Sequence, residues 1–183
     1  MPFAGADVAP RVAADLRLVS AFPFNEGGGL VAYDAVRGKP VAIAGTSPYL
    51  AGIDDGCSLS FDGSVSLVSP ITGFDSSGSL PFSISAWVYQ TGNTNYQALW
   101  ASNTPKGLYL LTGKANYYQG GDHLATTATA LNTWTQVGVC TDGTNTYHYM
   151  NGLPNGTNAA FVAQLVDITG GISQPMPIAI PTM

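Results

Sequence analysis

The chain predicts an all-β fold, a two-sheet antiparallel sandwich of the jelly-roll kind, and three observations predict it. Short apolar or alternating runs recur from Leu18 onward, each closed by Gly, Pro, Asn-Gly or Asp-Gly. No stretch of normal helix length carries apolar residues at helical spacing. The 183 residues suit one domain with a sizeable core, and an apolar share of 45% lies in the usual globular range. Many short strands divided by regular turn signals pack as a sandwich or jelly roll, because each strand has one face to bury.

Residues 1–16 read as an N-terminal arm. Pro10 could open one helical turn within Ala9-Pro10-Arg11-Val12-Ala13-Ala14-Asp15-Leu16, but nothing there fills a useful helix. Residues 17–183 form the sandwich domain. Gly27-Gly28-Gly29 lacks the Lys and the strand-to-helix context of a phosphate loop, so it is a turn. The clearest strand is Phe82 to Tyr89. Its alternation puts Phe82, Ile84, Ala86 and Val88 on a core face and Ser83, Ser85, Trp87 and Tyr89 on a polar-aromatic one. Strands follow at 96–101 and 107–111, with a reversal through Thr112-Gly113-Lys114 into 115–119. Two more, 134–140 and 145–150, flank Asp142-Gly143, a pair whose tolerance of positive φ suits a hairpin. Asn151-Gly152 and Asn155-Gly156 mark a second tight reversal. Asn155-Gly156-Thr157 also matches a glycosylation sequon, though a turn is the simpler reading. Pro175, Pro177 and Pro181 define an extended tail.

Composition excludes several classes of function. Charged residues make up 9% of the chain, against roughly 25% in an average soluble domain, so Ser, Thr, Asn, Gln, Gly and Tyr must cover the surface. The net charge is −5 and the six Lys and Arg are scattered, which argues against nucleic acid. No apolar run approaches the ~20 residues of a membrane span. The N-terminus lacks the basic and apolar regions of a secretory signal. A place on a virion or another extracellular surface is therefore expected to be reached by lysis, on a particle, or after loss of a leader. Cys57 and Cys140 each sit in an alternating stretch and read as buried free thiols, with a disulfide as the alternative; no zinc-ligand spacing is present.

Five further signals occur in order: Phe24-Asn25-Glu26-Gly27-Gly28-Gly29 with Asp34 downstream; Leu59-Ser60-Phe61-Asp62-Gly63-Ser64; Phe82 to Val88; Trp134-Thr135-Gln136-Val137; and Tyr149-Met150-Asn151-Gly152. Together they resemble the laminin G-like branch of the concanavalin A-like lectin/glucanase superfamily, which includes pentraxins. The resemblance implies a concanavalin A-like jelly roll. It leaves function open, because that superfamily includes lectins, hydrolases, adhesion modules and virion parts. Pro175-Met176-Pro177-Ile178-Ala179-Ile180 is similar to the family's Pro-x-x-Ile-Gly strand, but the Phe-x-Gly-x-Ile-Asp strand expected next does not follow. Either the arm at 1–16 folds back into the slot, a neighbouring chain completes the sheet, or the domain is redesigned there, the last two being favoured, and an uncovered edge invites pairing. Pro175, Pro177, Ile178 and Ile180 are the expected assembly residues, and a homo-oligomer or capsid and tail proteins the expected partners.

Glycoside hydrolysis needs two carboxyls across the scissile bond. The chain has one glutamate, Glu26, in the glycine-rich loop; Asp54 and Asp55 are adjacent, and Asp122 and Asp142 lie at turns. No Gly-x-Ser-x-Gly elbow exists. His123 sits in a loop beside Asp122, and His148 reads as a hydrogen-bonded sheet residue. No catalytic residue is assigned and the chain is expected not to be an enzyme. No cofactor is required. Ca²⁺ is the one metal to weigh, since the family's sites resemble loop clusters of carboxylates and carbonyls. Asn25, Asp34, Asp62 and Asp142 are its candidate ligands, each explained equally well by an Asx turn.

Sugar binding would use exposed rings with amides to fix hydroxyls. Tyr96, Trp100, Asn116, Tyr117, Tyr118 and Gln119 are the candidates, and of the adjacent Tyr117 and Tyr118 at least one ring should be accessible. Trp87, Trp100 and Trp134 read also as core or sheet-face packing. Two functions follow. One is a non-catalytic structural or display protein, such as a bacteriophage decoration, fibre or tail component that adheres to host glycans. The alternative is a soluble carbohydrate-binding module or lectin.

Overall fold

The computed structural model describes residues 18–45, 49–61, 66–67, 81–93, 96–101, 106–119 and 121–159. The assembly segment 175–180, the arm and Asp62 lie outside the described residues. Among the described residues twelve strands follow in order: β1 (Val31–Asp34), β2 (Lys39–Ala44), β3 (Tyr49–Ala51), β4 (Cys57–Leu59), β5 (Ser66–Leu67), β6 (Phe82–Tyr89), β7 (Gln97–Ala101), β8 (Lys106–Leu111), β9 (Lys114–Gln119), β10 (Trp134–Thr141), β11 (Asn145–Met150) and β12 (Leu153–Ala159). The sole helical element among the described residues is one 3-10 turn, Ile53–Asp55. Residues 18–30, read as β from their texture, carry no ladder.

Hydrogen bonding groups the strands as β12-β11-β10-β6, β7-β8-β9, β1-β2-β5 and β3-β4, and every pairing is antiparallel. All four groups feed one core. Val88, Val137 and Val139 come from the four-stranded sheet, Leu108, Leu110 and Tyr117 from the three-stranded one, and Ala32, Val41, Ile43 and Leu59 from the rest. Each fully buried side chain of this kind contributes roughly 1.5–3 kcal/mol, and their convergence from every sheet makes the fold an antiparallel sandwich. The Phe82 and Tyr117 rings, 5.6 Å apart, join the four-stranded and three-stranded sheets. The period-2 pattern of β6 is realised: Phe82, Ile84 and Ala86 pack on the core beside Val88, while Ser83 and Ser85 are exposed. On β10 the same rule sends Thr135, Val137, Val139 and Thr141 inward, leaving Trp134, Gln136, Gly138 and Cys140 to the outer face. Both cysteines are free and half-buried, so the expected thiols hold but are less covered than their alternation suggested.

Turn chemistry sets the hairpins. Thr112 (φ 49°) and Gly113 (φ 80°) join β8 to β9, and Asn151 (φ 50°) and Gly152 (φ 76°) join β11 to β12. Two positive-φ residues are what a tight hairpin of matching twist requires. Thr112 is β-branched and strained there, with only its Oγ1–H bonding to the Leu111 carbonyl at 2.7 Å. Thr112→Asn is expected to stabilise the fold by about 1 kcal/mol, seen as a melting-temperature rise of roughly 2–4 °C.

The Asn155-Gly156 reading is corrected. The pair is not a reversal; it lies within β12. Asn155 is 8% exposed, its Oδ1 accepts from the Thr127 N–H at 2.9 Å and its Nδ2 donates to the Thr127 carbonyl at 3.0 Å. A side chain held at both ends in the interior cannot serve as a glycan acceptor. These bonds belong to a seam. Segment 121–133 has no ladder of its own, yet Tyr117 N–H bonds to the His123 carbonyl and Ala125 N–H to the Ala115 carbonyl on one side. On the other, Thr126 N–H bonds to the Asn155 carbonyl and Asn158 Nδ2 to the Leu124 carbonyl. The segment thereby covers one edge of both sheets. Beneath it, Gln90, Gln97 and Thr129 form a buried amide–hydroxyl chain that ends on the Gly113 and Gly92 carbonyls.

His148 departs from expectation too. It is a sheet residue, but both ring nitrogens are buried with no hydrogen-bond partner among the described residues. Its position on β11 between Thr146 and Met150 turns it to the core face, opposite Val139 of β10.

Candidate functional site

Three of the described carboxylates, Glu26, Asp34 and Asp142, are occupied structurally. Glu26 Oε1 accepts the Tyr33 N–H at 2.8 Å and Oε2 the Tyr49 hydroxyl at 3.0 Å, which ties the glycine-rich loop to β1 and β3. Burial, then the Glu26 charge, pushes the Tyr49 phenol well above its usual range. Asp34 is 2% exposed and takes the Ser20 hydroxyl and the Ala21, Val36 and Arg37 N–H groups, with the Arg37 Nε 3.9 Å away. Asp142 caps the β10–β11 loop: the Asn145 N–H, the Tyr147 hydroxyl and the Thr144 N–H hold its carboxyl down at about 2. Asn25 is exposed in its loop. Among the described residues, no three His, Cys, Asp or Glu side chains gather where a metal ion could sit.

The expected sugar-binding residues divide. Tyr117 is 2% exposed and Asn116 0% exposed, so neither reaches solvent. Tyr117 serves the core, and Asn116 holds a loop: its Nδ2 donates to Asp122 and its Oδ1 accepts the His123 N–H. Trp100 is half-buried and packs on the core. The Gln119 side chain lies outside what the structure describes. Tyr96 and Tyr118 remain on the outer face of β7-β8-β9, joined by Tyr109, which the sequence reading passed over.

A second surface lies on the outer face of the four-stranded sheet. Register aligns Trp134 with Tyr89, Gln136 with Trp87, Gly138 with Ser85 and Cys140 with Ser83. On the other side of β10, Gly138 faces Tyr149 and Cys140 faces Tyr147. The missing side chain at Gly138, beside two serines, leaves a shallow groove of about 330 Å³ lined by Ser83, Ser85, Gln136, Cys140 and Tyr149. Farther along the same face, outside the groove's lining, the Tyr89 and Trp134 ring centres are 5.4 Å apart. Tyr149 is 37% exposed. A hydrogen bond with Cys140, then electrostatic repulsion from that sulfur, raises its phenol above the ordinary value. The groove sets serine hydroxyls, the Gln136 amide and the Tyr149 ring around a mainly apolar lining that includes Ile84, Gly138 and Val139, which suits a small, partly apolar ligand with a few hydroxyls. The polar-aromatic alternation of β6 was the available signal; the groove itself needed the register that sets Gly138 against Ser85.

No protein-family model and no curated protein matches the chain. Solved structures do, at identities that establish the fold alone. Domain 4 of an extracellular arabinanase from Geobacillus stearothermophilus, in complex with arabinotriose, superposes with a TM-score of 0.57 at 14% identity, covering 89% of this chain and 93% of that one. The binding domain of botulinum neurotoxin serotype G gives 0.60 at 14% identity, over 90% of this chain and 46% of the other. A mutant Trypanosoma rangeli sialidase with trans-sialidase activity gives 0.60 at 16%, over 87% and 29%. The fold class is thus shared with β-sandwich domains of those proteins, two of which are far longer than this chain. No helix among the described residues is long and apolar enough to cross a membrane.

Proposed function

We propose that the chain is a non-catalytic carbohydrate-binding sandwich, of the concanavalin A-like, laminin G-like kind, whose ligand lies in the groove over Gly138. The observation that carries this reading is the groove's make-up: a floor left open at Gly138, the Ser83 and Ser85 hydroxyls and the Gln136 amide around it, and the Tyr149 ring in its lining. Sugar rings present alternating apolar faces and hydroxyls that suit such a surface. The arabinotriose-bound neighbour supports the same reading. A non-catalytic role is supported by carboxylates committed to backbone and hydroxyl donors, at Glu26, Asp34 and Asp142. The particle-display reading rests on Pro175, Pro177, Ile178 and Ile180, which lie outside the described residues, so sugar binding is the reading the geometry favours. An extracellular or particle-surface setting suits either.

The test is a groove-filling substitution. A Cβ at position 138 would meet its nearest atoms, the Ile84 carbonyl and the Ser85 and Tyr149 Cβ atoms, at 3.6–3.8 Å, which is ordinary contact. Gly138→Val should therefore leave the melting temperature unchanged or raised, since strand glycine is unfavourable by about 0.5–1 kcal/mol. On a glycan array, retained sugars should lose at least about tenfold in affinity when the groove is filled, a difference of roughly 1.4 kcal/mol. Glycan retention unchanged in Gly138→Val would remove the groove from consideration.

A further inference from the structure

Tyr96, Tyr109 and Tyr118 form a triangle on the outer face of the three-stranded sheet. Ring centres are 5.8 Å (Tyr96–Tyr109), 6.0 Å (Tyr96–Tyr118) and 6.4 Å (Tyr109–Tyr118) apart, and the planes of each pair are inclined at 83–86°. The backbone sets this up. Tyr109 pairs with Asn116 and Gly107 with Tyr118, so the two rings stand diagonally across β8 and β9, and no side chain stands opposite Tyr118. Tyr96 precedes β7 and leans onto both. Rings of that spacing and inclination can wall three sides of a corner, with a point roughly 4 Å from each centre, inside the ~6 Å over which a ring face attracts a cation.

Negative charge lies beside them. Asp122 Oδ1 accepts the Tyr96 hydroxyl at 2.7 Å and Asn116 Nδ2 at 2.8 Å, while Oδ2 has no donor among the described residues. Asp122 is exposed and the chain carries −5 overall. The Asp122 hydrogen bond, then desolvation and the Asp122 charge, pushes the Tyr96 hydroxyl up to about 12. The loop uses only Oδ1 of this carboxylate; a bound cation would use Oδ2 together with the three perpendicular rings.

We propose that this corner binds a small organic cation, a methylated ammonium seated against the faces of Tyr96, Tyr109 and Tyr118 with Asp122 as its counter-charge. A methylated ammonium suits the site better than a hydrated metal ion, because its spread charge sheds water easily and its methyl groups contact ring faces. The site is independent of the Gly138 groove.

The experiment titrates the whole chain with tetramethylammonium and with tert-butanol, a neutral molecule of similar size, following tyrosine ring protons by NMR. Saturable binding of tetramethylammonium is expected in the millimolar range, with tert-butanol at least about tenfold weaker. Tyr118→Phe, which keeps the ring, should stay within about twofold, whereas Tyr118→Ala should lose at least about tenfold and Asp122→Asn a few-fold. Because Tyr96 is 39% exposed, Tyr96→Leu offers a second truncation at a surface site, also expected to lose at least about tenfold. Equal binding of the neutral molecule, no saturation by about 50 mM tetramethylammonium, or full affinity in Tyr96→Leu would each overturn the proposal.

Discussion

His148→Leu is expected to stabilise the protein and to remove most of its acid sensitivity between about pH 6.5 and pH 4. The imidazole is fully buried with both nitrogens unpartnered among the described residues, so burial holds its pKa down to about 4, with the nearby His123 adding to the effect. The direction follows from proton counts. As pH falls through about 6.5, the unfolded chain takes up a proton that the folded ring refuses until about 4, so stability falls across that window and levels off below it. The loss is about 3 kcal/mol, a large part of the stability of an ordinary domain. His123, also lowered by burial but opposed by Asp122, adds in the same direction. Asp142 acts in a separate window: its carboxyl is held at about 2, so its contribution is present above about 4 and is lost as pH falls towards 2. Leucine has a similar volume and no polar atom, and replacing an unpaired buried group by an apolar one should gain about 1–3 kcal/mol at pH 7. Urea unfolding at pH 7.5, 5.5 and 4.0 would measure both effects. A wild-type stability flat between pH 7.5 and 4.0 would falsify the assignment of a neutral buried His148.

Gly156→Ala should be strongly destabilising for the addition of a single methyl. Gly156 sits in β12 at φ 115°, a conformation that side-chain-bearing residues rarely adopt. A Cβ there would come 2.7 Å from Thr126 Oγ1 and 3.2 Å from the Thr126 backbone nitrogen. The Thr126 N–H is the group that bonds to the Asn155 carbonyl, so the methyl presses on a hydrogen bond of the seam. Backbone strain and overpacking together are expected to cost about 2–5 kcal/mol. Thr126→Ala in the same chain should recover only the part due to Oγ1, leaving the backbone strain. Amide exchange separates this from a general loss of stability: the Thr126 and Thr127 N–H groups should lose protection before those of β10. Equal loss across the molecule would place the damage elsewhere.

Much of the fold was legible because strand periodicity is a local property. The β6 alternation Phe82-Ser83-Ile84-Ser85 already states which face is inside, and Asp142-Gly143 and Asn151-Gly152 mark turns by their own conformational preferences. Asn155-Gly156 carries the same letters as a turn and is a strand. What decides between the two is the partner, Thr126 and Thr127, 28 residues away in the case of the Asn155 amide, and no local pattern encodes it. The site was less legible for the same reason. Tyr117 and Tyr118 are neighbours in sequence, and alternation foretold that they part ways, but not which ring is buried; the packing of Phe82 on Tyr117 settles it. Tyr109 joins Tyr96 and Tyr118 only through the register of β8 with its neighbours. Gly138 matters through what stands beside it on two other strands. His148 was read as bonded because sheet histidines usually are, and its core-facing register removed the expected partners.

The seam at residues 121–133 sets an order of events during folding. The β8–β9, β10–β11 and β11–β12 pairings join neighbours in the chain through short turns and can zip early. The Asn155–Thr127 and Asn158–Leu124 bonds span 28 and 34 residues and have nothing to bind until both hairpins exist. Closing that loop costs chain entropy before any bond repays it. The seam is therefore a late step, and until it closes, the β9 and β12 edges it will cover are open to a second chain still emerging or refolding nearby. Crowded synthesis, rather than the finished molecule, is where this sandwich is most exposed to mispairing.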